Sequence, residues 1–171
     1  MTLTLNIPTL TTTRLTLRPP READFPAMLA FNESPRTVYV GGTVPRQQVW
    51  RSHLANIGHW ALRGYGFWSV DTQQGEFVGR VGVIYHDGWP EPELAWHVFA
   101  NGEGKGYAHE AALAARADAG ARLGLGPLIS MIDPENRRSI ALAERLGARF
   151  ERADPGLLKP FHVYRHPEAQ S

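Results

Sequence analysis

From Thr13 to Pro19 apolar and polar residues alternate, with Leu15 and Leu17 on one side and Arg14, Thr16 and Arg18 on the other. A period of two marks a strand with one buried face. Pro19–Pro20 closes it, and Arg21 to Phe31 then spaces Phe25, Met28 and Leu29 as one side of a helix. From Asn32 to Pro45, the breaks at Pro35, Gly41–Gly42 and Pro45 predict a loop. Helical spacing returns from Arg46 to Arg63 through Val49, Trp50, Leu54, Ile57 and Ala61. Three strands follow, Gly66 to Asp71, Phe77 to Tyr85 and Glu93 to Phe99, with turns at Gly75 and Asp87–Gly88. Connections this short make an antiparallel meander. An alanine-rich helix from Gly106 to Leu123 stops at Gly124 and Gly126. Leu128 to Ile132 is a strand ended by Asp133–Pro134, and Glu135 to Leu146 is a helix closed by Gly147. Arg149 to Arg152 and Phe161 to Arg165 are the last two strands.

The order of strand, two helices, three strands, helix, strand, helix and two strands predicts an α+β fold, a mixed α/β layer. The meander rules out winding from βαβ units alone. A chain of 171 residues with no linker-like tract suits one domain over 1–171. Hydrophobic residues at 43% and charged residues at 20% are a globular balance. With a formal net charge of +1 and no Lys/Arg run, the chain lacks the clustered cations that bind duplex nucleic acid. The absence of cysteine excludes disulfides, a cysteine acyl-enzyme and thiolate metal sites. His162 and His166 are four apart but fall on a strand and its end, so no metal site is expected. No apolar run reaches about 18 residues and Met1 to Leu10 lacks a signal-peptide pattern, so no membrane contact and a cytoplasmic address are expected.

Candidate chemistry concentrates in Asn101-Gly-Glu-Gly-Lys-Gly-Tyr-Ala-His-Glu110, between a strand and a helix. Glycines let a ligand approach the backbone, and the first N–H groups of a helix lack intrahelical partners. Phosphate is the natural guest there, and Lys105 adds a charge. An ordinary glycine-rich turn is the alternative. A Walker loop is excluded because Gly106, not Ser or Thr, follows Lys105. A dinucleotide fingerprint is excluded because Tyr107 or His109 stands where a third small residue is needed.

The segment Gly104-Lys-Gly-Tyr-Ala108 with Glu110-Ala111 resembles the acetyl-CoA loop of the GNAT superfamily of N-acetyltransferases, in its ribosomal-protein-alanine-acetyltransferase-like branch. Asn101 departs from the Gln/Arg of that pattern. The likeness extends to Thr13–Arg18 with Asp24-Phe25, Glu93-Leu-Ala-Trp-His-Val98, Asp133-Pro-Glu-Asn136 with Ser139, Glu144, Leu146 and Gly147, and Val163-Tyr164-Arg165. The resemblance implies a seven-stranded, mostly antiparallel sheet with about four helices, its fourth and fifth strands splayed into a V. It implies acetyl-CoA as co-substrate and no metal. Pantetheine would lie against Trp96, His97 and Val98, and the pyrophosphate on Glu103, Gly104, Lys105, Gly106, Tyr107 and Ala108. Asn136 would hold the pantetheine arm and Ser139 would lie near the sulfur, while Arg137 and Arg138 reach the adenosine phosphates or are solvated helix charges.

For the chemistry, Glu93 is the candidate general base, directly or through water, or else a surface carboxylate. Ser139 is the candidate acid for the leaving thiolate and Tyr164 its rival, or else a strand aromatic. The N–H of Val98 or a neighbour is the candidate oxyanion donor. With no cysteine, direct transfer in a ternary complex is the simpler path, though composition leaves a serine acyl-enzyme open. Tyr39, Trp50, Trp68 and Trp89 either frame the acceptor or belong to core and rim. The acceptor is a primary amine, of a small molecule or a protein N-terminus, and a homodimer is plausible by resemblance. A non-catalytic acyl-CoA sensor and a pure interaction domain are the rival readings.

Overall fold

Leu15 and Leu17, the apolar side of the first predicted strand, have no exposed surface. They anchor one face of a single sheet in a computed structural model that describes residues 5–156 and 158–169. The strands are β1 (Leu10–Thr11), β2 (Leu15–Arg18), β3 (Phe67–Thr72), β4 (Phe77–Ile84), β5 (Glu93–Val98), β6 (Ile129–Ile132), β7 (Arg149–Asp154) and β8 (Phe161–Arg165). The helices are α1 (Phe25–Asn32), α2 (Arg46–Arg63), α3 (Tyr107–Leu123) and α4 (Arg137–Arg145). The sheet order is β1-β2-β3-β4-β5-β6-β8-β7. Every pairing is antiparallel except β5 with β6, which is parallel and rests on one residue pair, Glu93 with Ile129.

The sheet therefore has eight strands rather than the seven expected. The extra one, β1, is two residues long, pairing Leu10 with Leu17 and Thr11 with Thr16, too short for alternation to register in the sequence. The first helix also starts later than its periodicity predicts, because Glu22–Asp24 form a tighter 3-10 turn. The expected loop before α2 holds a short 3-10 turn, Pro35–Thr37, where the Ser34 side chain accepts from the Arg36 N–H.

On one face α3 lies against the sheet through Ala111, Ala112, Ala115 and Ala119, each at most 1% exposed. These side chains are small enough to bring the helix close to Val70, Val81, Val83 and Leu94. On the other face α2 is pinned to the sheet by polar bonds. Asn56 exchanges two hydrogen bonds with the Phe67 backbone, at 3.0 and 2.9 Å. His59 Nε2 accepts from the Tyr85 N–H at 2.9 Å, so its Nδ1 carries the proton and donates to Tyr65 O at 2.6 Å. The sheet thus has an apolar face under α3 and a partly polar face under α1 and α2, and only the second is open. Among the described residues, no helix is long and apolar enough to cross a membrane.

Candidate active site

Between β5 and β6 the sheet comes apart. Phe99 N–H donates to Val78 O at 2.9 Å, so alternation along the antiparallel ladder turns the N–H groups of Val98, Trp96 and Leu94 away from β4 and toward the gap. On the far side Ile129 N–H reaches Pro92 O at 3.3 Å, but the next inward-facing donor, Met131 N–H, has no strand opposite. The Glu93 carboxylate takes its place, with Oε1 accepting from Met131 N at 2.8 Å. Glu93 therefore stands at the vertex of the V. Only 7% of it is exposed, which overturns the reading of a surface carboxylate. Burial pushes its carboxyl up to about 8 and the Met131 bond offsets only part of that shift. Among the described residues Oε2 has no partner, and Glu93 lines a cavity of about 1120 Å³.

That cavity runs from the V, past Asn136 and Ser139 at the start of α4, to the open face under α2. Asn136 caps α4, its side chain accepting from Ser139 N at 3.2 Å. Ser139 Oγ accepts from Trp96 Nε1 at 3.2 Å, which leaves the hydroxyl proton free to be given elsewhere. Tyr164 is 5% exposed and packs with Ile132, Ala143 and Ala148, and it does not line the cavity. Burial and the charge of Glu144 raise its pKa. Ser130 also meets the cavity, but its Oγ is spent between Leu94 O at 2.6 Å and His166 Nε2 at 2.8 Å. Arg116 Nη1 donates to His166 Nδ1 at 3.4 Å, so Nε2 carries the hydrogen and donates to Ser130, which donates to Leu94. A chain pointing that way ties β5 to β6 and β8 and leaves His166 no lone pair for activating Ser130.

At the end of β5 the glycine loop lies on the surface. Gly104 and Gly106 adopt φ of +72° and +79°, the left-handed region that disfavours a side chain. Gly104, Lys105 and Gly106 are exposed, and no side chain caps α3. Glu103 departs from the expected cradle. Its N–H bonds Ala100 O at 3.4 Å inside a 3-10 turn, and its carboxylate lies between Arg36 and Arg138. Arg138 is thus engaged by the loop, while Arg137 is exposed. Asn101 is spent on Glu76 Oε1 and Phe77 O, at 2.9 and 3.0 Å. Arg14 holds the loop from outside, donating to Lys105 O at 2.9 Å and Glu110 Oε2 at 2.7 Å and lying over the Tyr107 ring. Sequence reasoning missed it because an arginine on the polar side of a strand reads as a solvated charge.

Three further expectations need correction. His97 does not turn its backbone into the gap, because its ladder bonds face β4; its ring lies on the other face and accepts from Arg80. Trp68 is 1% exposed in the core under α3, its indole donating to Pro8 O at 2.8 Å, so it cannot touch an acceptor. Trp50 packs on Phe25 and His53 and lies outside the cavity wall. Tyr39 and Trp89 do line the cavity, joined by Phe67, His59 and His86.

A gap lined with inward N–H groups, a vertex carboxylate and an uncapped glycine-bounded helix start define a site for an extended, phosphate-terminated acyl donor. A coenzyme A thioester has that form. The comparisons agree. Residues 14–149 match the Acetyltransferase (GNAT) domain, and the chain belongs to that family. It is an acetyl-CoA-dependent acyltransferase, related in fold to ribosomal-protein acetyltransferases. An acetyltransferase crystal structure from Agrobacterium tumefaciens is 39% identical, with a TM-score of 0.89 and coverage of 98% of this chain and 99% of that one. The uncharacterized protein YkkB of Bacillus subtilis is 28% identical over 162 residues, 91% of this chain and 93% of its own length. The ribosomal L7/L12 alpha-N-protein acetyltransferase RimL, solved with coenzyme A, shares the fold at 17% identity and a TM-score of 0.76, with 96% and 99% covered.

Proposed function

We propose that the protein is an N-acetyltransferase, one domain over residues 1–171, that moves the acetyl group of acetyl-CoA to a primary amine by direct attack in a ternary complex. The observation that carries this is the buried vertex carboxylate of Glu93, with one oxygen bound to Met131 N and the other facing the cavity. The thioester brings an activated carbonyl, so the chain's task is positioning and proton transfer. An amine arrives as an ammonium, and a carboxyl raised to about 8 is matched to accept its proton, directly or through one water. Of the N–H groups turned into the gap, that of Trp96 is nearer the middle of the V than that of Val98, which adjoins the loop. Trp96 N–H is therefore the oxyanion donor in this reading. Ser139 Oγ, with its proton free, is favoured over Tyr164 as acid for the departing thiolate.

The acceptor is a small-molecule amine or a protein N-terminus, and the alpha-N-protein acetyltransferase activity of RimL makes the second worth including in any screen. Free CoA thiol released against a panel of amines and free-N-terminus peptides tests the transfer. Acetyl-CoA binding with no release from any amine would leave only a sensor. For the donor site, Gly104→Asp is expected to weaken acetyl-CoA at least about tenfold in calorimetry, because it sets a charge against the diphosphate at a helix start. Gly104→Ala separates the two contributions, since it imposes the left-handed strain at φ +72° without the charge. Unchanged affinity in Gly104→Asp would move the diphosphate off this loop.

A further inference from the structure

We propose that the acceptor is a small amine bearing a carboxylate within a few bonds of its nitrogen, and that Arg80 grips that carboxylate. The inference rests on the amine-acetylation reading above and narrows it. Arg80 lies on β4 in the wall of the cavity, on the face under α2. Its Nε donates to His97 Nδ1 at 2.8 Å, and its guanidinium stacks 4.6 Å from the centre of the Phe67 ring. These contacts fix the plane of the fork and leave both terminal nitrogens without a partner among the described residues.

No carboxylate among the described residues pairs with Arg80. Arg18, two strands away, is matched by both Asp24 and Asp71. None of the carboxylates that share the cavity with Arg80 bonds to it: Asp133 pairs with Lys159 at 3.0 Å, Asp154 accepts from Gly156 N at 2.9 Å, and Glu93 accepts from Met131 N through one oxygen. Arg80 is part-buried in the cavity wall, and a guanidinium placed there with no carboxylate partner is ready to pair with an anionic group of a ligand. Burial pulls Arg80 down to about 10. Its charge also adds to the burial that lowers the pKa of both His86 and His97. Arg80 thus stands on the acceptor side of the cavity with its fork unpaired among the described residues.

The geometry sets the spacing. Ile84 pairs with Glu93 and Arg80 with His97, so the two functional side chains rise from the same face four residues apart, about 13 Å along the strand. Arg80 reaches back over Phe67, and both side chains shorten that span. An amine beside Glu93 and a carboxylate on the Arg80 fork can then belong to one short molecule, such as an amino acid. A polypeptide N-terminus offers an amide there, which an arginine fork cannot pair with bidentately.

The test compares primary amines in matched pairs, amino acids against their amides, by acetyl-CoA turnover. The wild type is expected to prefer the acid by at least about 20-fold in kcat/KM, mostly through KM. Arg80→Met is expected to abolish that preference, lowering kcat/KM for the acid far more than for the amide. Arg80→Lys keeps the charge without the fork, and is expected to retain a reduced preference. Equal use of acid and amide by the wild type, or a preference that survives Arg80→Met, overturns the proposal. Thermal unfolding with N-acetyl amino acids, which carry the carboxylate but need no turnover, gives a second readout. Their binding should raise the wild-type Tm more than that of their amides, and should not do so in Arg80→Met. Stabilisation without any turnover would reject amine transfer and keep the anion site, whereas turnover without acid preference would do the reverse.

Discussion

Asp24→Ala is expected to lower stability by about 3 kcal/mol, a fall in Tm of roughly 6–12 °C for a chain of this size. Arg18 is 6% exposed and Asp24 is 4% exposed. The fork of Arg18 binds both Asp24 oxygens, at 2.9 and 2.7 Å, and its Nε binds Asp71 at 2.5 Å. Asp24 also accepts from Ser69 Oγ at 2.6 Å and from Arg21 N at 2.9 Å. Removing the carboxylate breaks four hydrogen bonds and leaves a buried cation with one of its two counter-ions, and that penalty exceeds any gain from making a smaller core. Asp71 cannot take over, because it is held by Nε and its second oxygen is already buried without a partner. The site also predicts acid sensitivity. Burial alone would raise the Asp24 pKa, but the bonds from Arg18, Ser69 and Arg21 outweigh it and hold the pKa below the ordinary value. A depressed carboxyl contributes stability that is present above the unfolded value of 3.8 and lost as pH falls through the folded one. Urea unfolding at pH 7 and pH 3 should show the wild type losing its advantage over Asp24→Ala at the lower pH. An Asp24→Ala protein as stable as the wild type at pH 7 would refute the assignment. The network matters to function because it fastens the start of α1 to β2 and β3 and so holds the helical cover of the open face in place.

The sequence made most of this frame legible, and the failures share one cause. Helix α2 begins and ends where its spacing predicts, because Pro45 precedes it and Gly64, at φ 75°, stops it. The glycine loop was legible because few residue types other than glycine adopt the angles at Gly104 and Gly106. What the sequence could not supply was the face each strand residue meets. Phe67 and Trp68 are neighbours on β3, and of the two only Trp68 reads from the sequence as a candidate for a site. Register sends Phe67 to the cavity and Trp68 to the core, and a shift of one residue would exchange them. The same parity turned the Trp96 and Val98 amides into the gap and the His97 ring onto Arg80. Arg80 itself sits between Gly79 and Val81, where an alternating strand predicts a solvated charge. Only the third dimension shows that its exit is a cavity, in which no carboxylate among the described residues pairs with it.

Glu93→Gln is expected to lower kcat by about 100- to 1,000-fold, the usual share of a positioned general base, with acetyl-CoA affinity little changed. The substitution is nearly isosteric, and the amide oxygen can still accept from Met131 N–H, so the vertex of the V should hold. What disappears is a group that can take a proton. Because burial raises the carboxyl to about 8, it is mostly protonated at neutral pH, and the wild-type kcat should climb as pH rises through that value. In the variant this limb should vanish, leaving only the titration of the bound amine. Stability supplies an independent check of the opposite sign. The folded pKa lies above the ordinary value of 4.5, so the native state holds its proton more tightly than the unfolded chain does. That contribution is full below 4.5 and is lost as pH rises through about 8. The wild type should therefore weaken toward alkaline pH relative to Glu93→Gln, by an amount on the order of 5 kcal/mol at full ionisation. A stability difference with an unaltered kcat profile would make Glu93 a strut between β5 and β6 and nothing more. Loss of both dependences in the one variant is expected if the group that closes the vertex is also the one that deprotonates the amine.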